Sequence, residues 1–227
     1  MVSGKWLVIV NWRSLVTQRM KLTGRLNRPR PEITGSGQSK IASRQCQVPS
    51  RLQVVRSKTI YKGRIIIVKL DRIIEPGGLR AVREVVRHPG SVVVLAHLPD
   101  GRLLLVRQYR YAAGESLWEL VAGGIESGET LQQAARRELL EETGYRARTI
   151  MPLFDFFPSP GILSELMHLV EARGLTRSKA RPEADERIRI GRFTPGRLRQ
   201  MLRSKKIRDG KTLAGLYWFL GRRLAGP

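Results

Sequence analysis

Apolar positions that alternate or run together predict strands between residues 52 and 110. The stretch at 52–87 is typical of three strands, with a turn at the EPGG sequence of residues 75–78. The next stretch, 91–110, is rich in Val and Leu on both sides of a PDG sequence. Continuous apolar runs of this length are typical of buried strands, so we expect a hairpin of two central strands there.

Helical spacing replaces the strand pattern after residue 129. We expect a helix from about Thr130 to Thr143 that ends at Gly144. Its buried stripe is predicted to be Leu131, Ala134, Ala135 and Leu139. Further strands are expected at 147–157, 165–171 and 187–193, with a polar loop over 172–186 and two helices that close the chain. Strands interleaved with helices indicate a layered α/β or α+β domain.

The first fifty residues differ from the rest of the chain. Their only acidic residue is Glu32, and no apolar period is sustained. Such a segment buries too little apolar area to offset its ordering entropy, so we expect residues 1–51 to be a basic, disordered tail. A wrongly chosen start codon, which would place this segment outside the working protein, is the alternative. The apolar run at 6–12 is short and is interpreted as neither a signal peptide nor a membrane anchor.

Charge and cysteine content narrow the class of protein. The chain of 227 residues carries a formal net charge of +23, which attracts polyanions and anionic substrates. The basic residues are spread without an arginine-rich block, so we interpret most of them as a solvated surface and leave nucleic-acid binding open. A single cysteine, Cys46, excludes an internal disulfide and fits a cytoplasmic location. No apolar run is long enough to span a membrane.

An unusual group of acids lies at the end of the predicted helix, in the RRELLEETG sequence of residues 136–144. Glu138 shares a helix face with Glu141 and Glu142, because residues three and four apart are neighbours. The C-terminal end of a helix disfavours negative charge. Stability therefore gives no reason for the arrangement, whereas a bound cation would. We expect this helix end to be exposed.

Residues 123–145, GGIESGETLQQAARRELLEETGY, resemble the Nudix box, which joins a loop to a helix. Every fixed position of that motif is matched, and Tyr145 stands where an aliphatic residue is usual. The resemblance implies a Nudix fold of the α/β class, an α/β/α sandwich of mixed sheet between helices, over residues 88–227. It also implies an N-terminal antiparallel β subdomain at 52–87 that forms a homodimer.

Other segments resemble the ADP-ribose pyrophosphatase branch of that family. They are the RQYR sequence of residues 107–110, the WELVAGG sequence of 118–124, and Pro160, sixteen residues after Gly144. The resemblance implies hydrolysis of ADP-ribose or a related nucleoside diphosphate sugar to AMP and ribose 5-phosphate. Mg²⁺ is the implied cofactor, with Mn²⁺ as the alternative. The alternative functions are hydrolysis of GDP-mannose or of an RNA 5′ end, or a non-catalytic role as a module that binds nucleotides or RNA.

The resemblance assigns roles residue by residue. The implied metal ligands are Glu138, Glu141, Glu142, the backbone carbonyl of Ala122, and Glu186. The implied catalytic residues are Glu141, Glu186 and Arg137, and the implied substrate-binding residues are Arg107, Arg110 and Glu119. Glu129 and Arg137 would hold the loop and the ligands in place. The three histidines, His88, His97 and His168, are scattered and are interpreted as structural.

The catalytic base is the least defined of these roles. The position where this branch usually supplies a Glu is occupied by Ala184, within the EADERIRI sequence of residues 183–190. Glu183 and Asp185 flank this position, and Glu186 follows in register with the next strand. We favour Glu186 as the base, with a slow enzyme or one that needs no dedicated base as the alternatives.

Overall fold

The Val- and Leu-rich stretch at residues 91–110 lies at the centre of the fold, as its apolar pattern predicts. The computed structural model describes residues 51–178 and 188–222, which contain ten strands and three helices. The strands are β1 (Gln53–Lys62), β2 (Ile67–Ile74), β3 (Arg80–Arg87), β4 (Ser91–Ala96), β5 (Leu103–Arg110), β6 (Glu115–Glu119), β7 (Val121–Gly124), β8 (Tyr145–Phe156), β9 (Met167–Arg177) and β10 (Arg189–Phe193). The helices are α1 (Leu131–Thr143), α2 (Pro195–Arg203) and α3 (Gly210–Arg222), and a short 3-10 turn covers Tyr111–Ala113.

The predicted hairpin at 91–110 is wrong, although both of its strands exist. β4 pairs with β7 and β9, whereas β5 pairs with β6 and β10. An isolated bridge from His97 to Leu103 joins the two strands across the turn. The PDG turn reverses the chain, and the Gly101 N–H donates to the Leu98 carbonyl at 3.0 Å. Because each strand is apolar on both faces, each lies at the centre of its own sheet rather than beside the other.

Two sheets and three helices build the layers. One sheet has the order β7-β4-β9-β8, with β4 and β9 parallel, and the other has the order β10-β5-β6. One buried cluster packs these strands against α1 through Ala134, Ala135 and Leu139. A second packs their other side against α2 and α3 through Leu198 and Leu216. The predicted α/β/α sandwich is confirmed.

The three strands predicted at 52–87 are also confirmed. β1, β2 and β3 form an antiparallel sheet in that order. Every residue of β1 is exposed. The backbone of Val86 in β3 bonds the loop before β9, donating to the Ile162 carbonyl at 2.8 Å and accepting from the Ser164 N–H at 2.9 Å.

The strands after the box helix are longer than the sequence pattern predicts. β8 begins at Tyr145, and β9 continues to Arg177, six residues into the expected polar loop. The two strands pair antiparallel from Tyr145↔Arg177 to Phe156↔Met167, and this pairing carries polar residues that local pattern alone assigns to a loop. The predicted tail, residues 1–51, lies outside the described residues except for Arg51. No helix in the described part of the chain is long and apolar enough to cross a membrane.

Candidate active site

The helix of the box has the ends that its sequence predicts. Thr130 caps the start, where its hydroxyl accepts from the Gln133 N–H and the Gln133 side chain accepts from the Thr130 N–H. Gly144 ends the helix with φ of 69°, and its N–H donates to the Leu140 carbonyl at 2.9 Å. Tyr145, the departure from the box pattern, is buried in the core beside α1, and its hydroxyl accepts from Arg192 at 3.0 Å.

Arg137 is the centre of the first charged cluster, which we call the box cluster: Arg137, Glu129, Glu138 and Glu141. Its Nε and Nη2 donate to the two carboxylate oxygens of Glu129, each at 2.8 Å. Its Nη1 donates to Glu138 at 2.7 Å and to Glu141 at 3.2 Å. Nη2 also donates to the Gly124 carbonyl at 2.9 Å. One side chain thus ties the loop of the box to its helix.

Glu129 is the strongest partner of Arg137. The two-point hydrogen bond with Arg137 lowers the pKa of Glu129 from 4.5 to about 2, against a smaller opposing contribution from burial. The same contacts raise the pKa of Arg137 above its ordinary value. The Glu126 N–H donates to Glu129 at 3.0 Å, which adds a local bond within the loop. Both charges of the pair therefore persist across the physiological pH range.

Gly123 determines where the Glu138 carboxylate can lie. A Cβ built on Gly123 would overlap the carboxylate of Glu138, whereas one built on Gly124 meets nothing within 4 Å. A side chain at Gly123 would therefore displace this carboxylate, while one at Gly124 has open space. This contact places Glu138 against β7, the strand that contains Ala122.

The end of the helix differs from the sequence expectation in one respect. Glu142 is buried, at 5% exposure, although we expected an exposed helix end. Glu141 is partly exposed. Burial follows from packing, because α1 lies against β8 and against the buried cluster that contains Leu139 and Tyr145.

The donor set of this helix end fits a hard divalent cation by its chemistry. Three carboxylates, Glu138, Glu141 and Glu142, lie within one turn of α1, and oxygen ligands of this kind suit Mg²⁺. Within residues 51–178 and 188–222, however, no three acidic, His or Cys side chains are gathered around one point. Glu138 and Glu141 instead bond Arg137. The helix end therefore suits a divalent cation by its oxygen donors and by the helix face that they share.

A second charged cluster surrounds Glu119, and we call it the arginine–lysine cluster: Arg110, Glu119, Lys211 and Asp209. Arg110 Nε and Nη2 donate to the two oxygens of Glu119 at 2.9 and 2.8 Å. Lys211 donates to the same carboxylate and to Asp209, the latter at 2.9 Å. Glu119 is 1% exposed, whereas the Arg110 side chain remains 39% exposed. The buried acid is thus held between two cations, one of which reaches the surface.

The pKa shifts in this cluster oppose burial. Burial raises the pKa of Glu119 more than any other single cause, but the bonds and charges of Arg110 and Lys211 together hold it below its ordinary value. Glu119 raises the pKa of Arg110, and the charge of Glu142 contributes in the same direction. This second influence shows that the arginine–lysine cluster lies electrostatically close to the acidic end of α1.

The other predicted site residues are less closely joined. Arg107 is exposed on β5, and the alternation of a strand points it to the opposite face from Arg110. Ala122 lies in β7 opposite Val93 of β4, one residue before Gly123. Glu186, with its neighbours at 183–185, lies outside the described residues.

Each histidine lies beside an acid rather than in either cluster. His97 Nε2 lies 2.9 Å from Glu171, and His168 Nδ1 lies 2.8 Å from Asp155. His88 is 3.6 Å from Glu165. These pairs are consistent with the structural roles predicted for the histidines.

Sequence reasoning missed Lys211 and Asp209. They belong to an RDGKT sequence at 208–212, where an acid three residues before a Thr is a signal for a helix start. That signal predicts the cap of α3. It gives no indication that Lys211 reaches Glu119, 92 residues earlier in the chain.

Comparisons with known proteins show which family and fold this chain resembles. A model of the NUDIX domain matches residues 87–214, which include both clusters. A methanol dehydrogenase activator from Bacillus methanolicus is 34% identical over 168 residues, covering 73% of this chain and 91% of that relative. An ADP-ribose pyrophosphatase from Bacillus subtilis (strain 168) is 32% identical over 162 residues, covering 70% and 88%. A solved structure described as an ADP compounds hydrolase has the same fold, with a TM-score of 0.66 at 22% identity, over 77% of this chain and 94% of its own.

Proposed function

Because this chain belongs to the Nudix family, we propose that it hydrolyses the pyrophosphate bond of ADP-ribose or a related nucleoside diphosphate sugar. Water attacks one phosphorus atom, the bridging oxygen leaves with the other phosphate, and the products from ADP-ribose are AMP and ribose 5-phosphate. The chain is a Nudix pyrophosphohydrolase. The similarity to a relative named ADP-ribose pyrophosphatase supports this substrate.

The observation that carries the proposal is that the Arg110 guanidinium lies within electrostatic range of the acidic end of α1. The box cluster and Glu142 supply carboxylates at the end of α1, and the arginine–lysine cluster presents Arg110 near them. A pyrophosphate substrate with a divalent cation needs both kinds of group, carboxylates for the cation and a guanidinium for phosphate oxygens.

A divalent metal is required, and we propose Mg²⁺, with Mn²⁺ as a substitute. Glu138, Glu141 and Glu142 would hold it, with the Ala122 carbonyl and Glu186 as further ligands. When bound, the metal neutralises the pyrophosphate and makes water a better nucleophile. Arg137 keeps Glu138 and Glu141 on one side of the helix.

The remaining proposed roles are binding of the substrate phosphates and removal of a proton from water. Arg110, oriented by Glu119, contacts phosphate oxygens, and we keep Arg107 as a weaker contact because it lies on the opposite face of β5. Glu186 is the proposed base, with Glu141 as an acid that assists it. The cytoplasmic location also stays a prediction.

We further propose a homodimer through residues 52–87, as a subdomain separate from 88–227. β1 is exposed along its whole length, and Val55, Ile60 and Tyr61 are each more than half exposed. An exposed apolar strand of this kind is typical of an interaction surface. Sedimentation equilibrium should give twice the chain mass of 25.7 kDa, and a monomer at micromolar concentration would contradict the dimer.

The activity is tested with purified protein and a panel of nucleoside diphosphate compounds in Mg²⁺. We expect ADP-ribose to be hydrolysed with release of AMP, the rate to fall to background in EDTA, and added Mg²⁺ or Mn²⁺ to restore it. Faster hydrolysis of GDP-mannose or of a 5′-triphosphate RNA would move the assignment to another Nudix substrate. Binding without turnover of any compound would indicate a nucleotide-binding module.

A further inference from the structure

The first turn of α3 is built around Asp209. One carboxylate oxygen accepts from the Thr212 N–H at 2.9 Å and from its hydroxyl at 2.6 Å, while the other accepts from Lys211 at 2.9 Å. The Asp209 carbonyl accepts from the Leu213 N–H, which starts the helix. Asp209 therefore caps α3 and at the same time orients the side chains of Lys211 and Thr212.

Those two side chains both hold the end of β6. Lys211 bonds the Glu119 carboxylate, and the Thr212 hydroxyl accepts from the Leu120 N–H at 2.8 Å. Thr212 and Glu119 are fully buried, and the Lys211 side chain is only 10% exposed. The start of α3 is thus joined to the residue that orients Arg110.

We propose that Lys211 is a positioning residue for the substrate arginine, acting through Glu119 to hold the Arg110 guanidinium toward phosphate oxygens. This inference rests on the proposed function. It extends the site to the C-terminal helix, which neither the box nor its flanking sequence indicates.

The physical reason lies in how one buried carboxylate is shared. Glu119 receives two hydrogen bonds from Arg110 and one from Lys211. If Arg110 were its only cation, any shift of Arg110 toward a phosphate would leave a buried carboxylate uncompensated, which is costly. Lys211 keeps Glu119 compensated while Arg110 engages an anion. It also fixes the Glu119 side chain and therefore the plane of the guanidinium.

The test is a double-mutant cycle in ADP-ribose hydrolysis with Lys211→Met, Arg110→Ala and the double variant. Lys211→Met retains the apolar stem and removes the ammonium group. We expect it to raise KM about 10-fold with little change in kcat, because a hydrogen bond to a charged group is lost. In the Arg110→Ala background the same change should raise KM by less than about 2-fold, since its effect passes through Arg110.

Two further variants separate positioning from general effects. Lys206→Met removes the same charge from an exposed position five residues earlier and should leave KM unchanged. Lys211→Arg keeps a cation beside Glu119 and should recover most of the lost affinity. If Lys211→Met does not fold, as judged by thermal melting, the cycle is run with Lys211→Gln, which also removes the ammonium charge. Its rise in KM should again vanish without Arg110.

The inference is overturned by a KM effect of equal size in both backgrounds, or by an unchanged KM in folded Lys211→Met. A wild-type protein without ADP-ribose hydrolysis would instead overturn the proposed function. In that event the same cycle is measured as ADP affinity by titration calorimetry without metal. Coupling between Lys211 and Arg110 is expected there too, and its absence would overturn the inference independently.

Discussion

The two charged clusters share their charges in different ways. In the box cluster one guanidinium, Arg137, is shared among three carboxylates. In the arginine–lysine cluster one carboxylate, Glu119, is shared between two cations. The first arrangement leaves excess negative charge, which suits a metal ion, and the second presents a cation to solvent, which suits phosphate. A site that must hold a metal ion and a phosphate needs both kinds of group.

Burial separates the two clusters further. The Glu129 side chain is 18% exposed, and its bond with Arg137 is the largest influence on its pKa. Glu119 is 1% exposed, and burial is the largest influence on its pKa, opposed by two cations. The box cluster is formed within one short segment, whereas the arginine–lysine cluster is assembled from two distant parts of the chain, residues 110–119 and 209–211. Local bonds suffice for the first, and the second depends on the packed core.

The largest expected effect on the rate comes from changing Glu142, the buried carboxylate at the end of α1. Glu142→Gln should lower ADP-ribose turnover by several orders of magnitude, because it removes a proposed metal ligand. Turnover is measured at saturating Mg²⁺, with thermal melting to confirm folding. Glu84→Gln on exposed β3 is the matched control and should retain full activity. A Glu142→Gln enzyme of near-normal rate would remove Glu142 from the metal site.

Gly123 and Gly124, the adjacent glycines that open the box, differ in the space around them. Gly123→Ala should displace the Glu138 carboxylate and lower kcat by about 100-fold, the cost typical of a misplaced catalytic group. The displaced side chain is flexible, so the melting temperature should fall little. Gly124→Ala adds the same methyl group where nothing lies within 4 Å and should leave kcat within about 2-fold of wild type. Equal losses in the two variants would show that Glu138 placement does not limit the rate.

The contrast between the clusters also explains what the sequence could predict. The box cluster lies within residues 123–145, so local spacing predicts the shared helix face of Glu138 and Glu141 and the helix end at Gly144, while the resemblance to the Nudix box adds the role of Arg137. Lys211 contacts Glu119 across 92 residues, and no local pattern encodes that contact. The predicted hairpin at 91–110 was wrong for the same reason. A turn specifies only that the chain reverses, and long-range packing decides which strands pair.

Burial of single side chains was equally beyond local reasoning. Glu142 was expected at an exposed helix end, and its burial follows from the packing of α1 against β8, which the helix pattern does not contain. The three strands at 52–87 were predictable because alternation and turn residues agree there. The lengths of β8 and β9 were not predictable, because the two strands stabilise each other by pairing along their whole length.

The arginine–lysine cluster is tested by changing its exposed cation. Arg110→Lys keeps the charge but loses the two-point bond to Glu119, so we expect KM for ADP-ribose to rise about 10-fold. Arg107→Lys, three residues earlier on the opposite face of β5, should raise KM by less than about 2-fold. Steady-state kinetics at one ionic strength compares the two. A larger effect at Arg107 would place the substrate on the other face of the strand.

The smallest expected effect concerns stability and pH in the box cluster. The pKa of Glu129 is depressed from 4.5 to about 2 in the folded protein, so its ionised form favours folding. That contribution is complete above about pH 4.5 and is lost as pH falls toward 2. Glu129→Gln should therefore melt a few degrees below wild type at neutral pH, and the difference should close between pH 4.5 and 2. Glu126→Gln, whose side chain is 69% exposed and 3.9 Å from Arg137, should show no such change with pH. A wild-type advantage that persists unchanged at pH 2 would mean that the Arg137–Glu129 bond does not set the acid stability of the box, and that packing of α1 does.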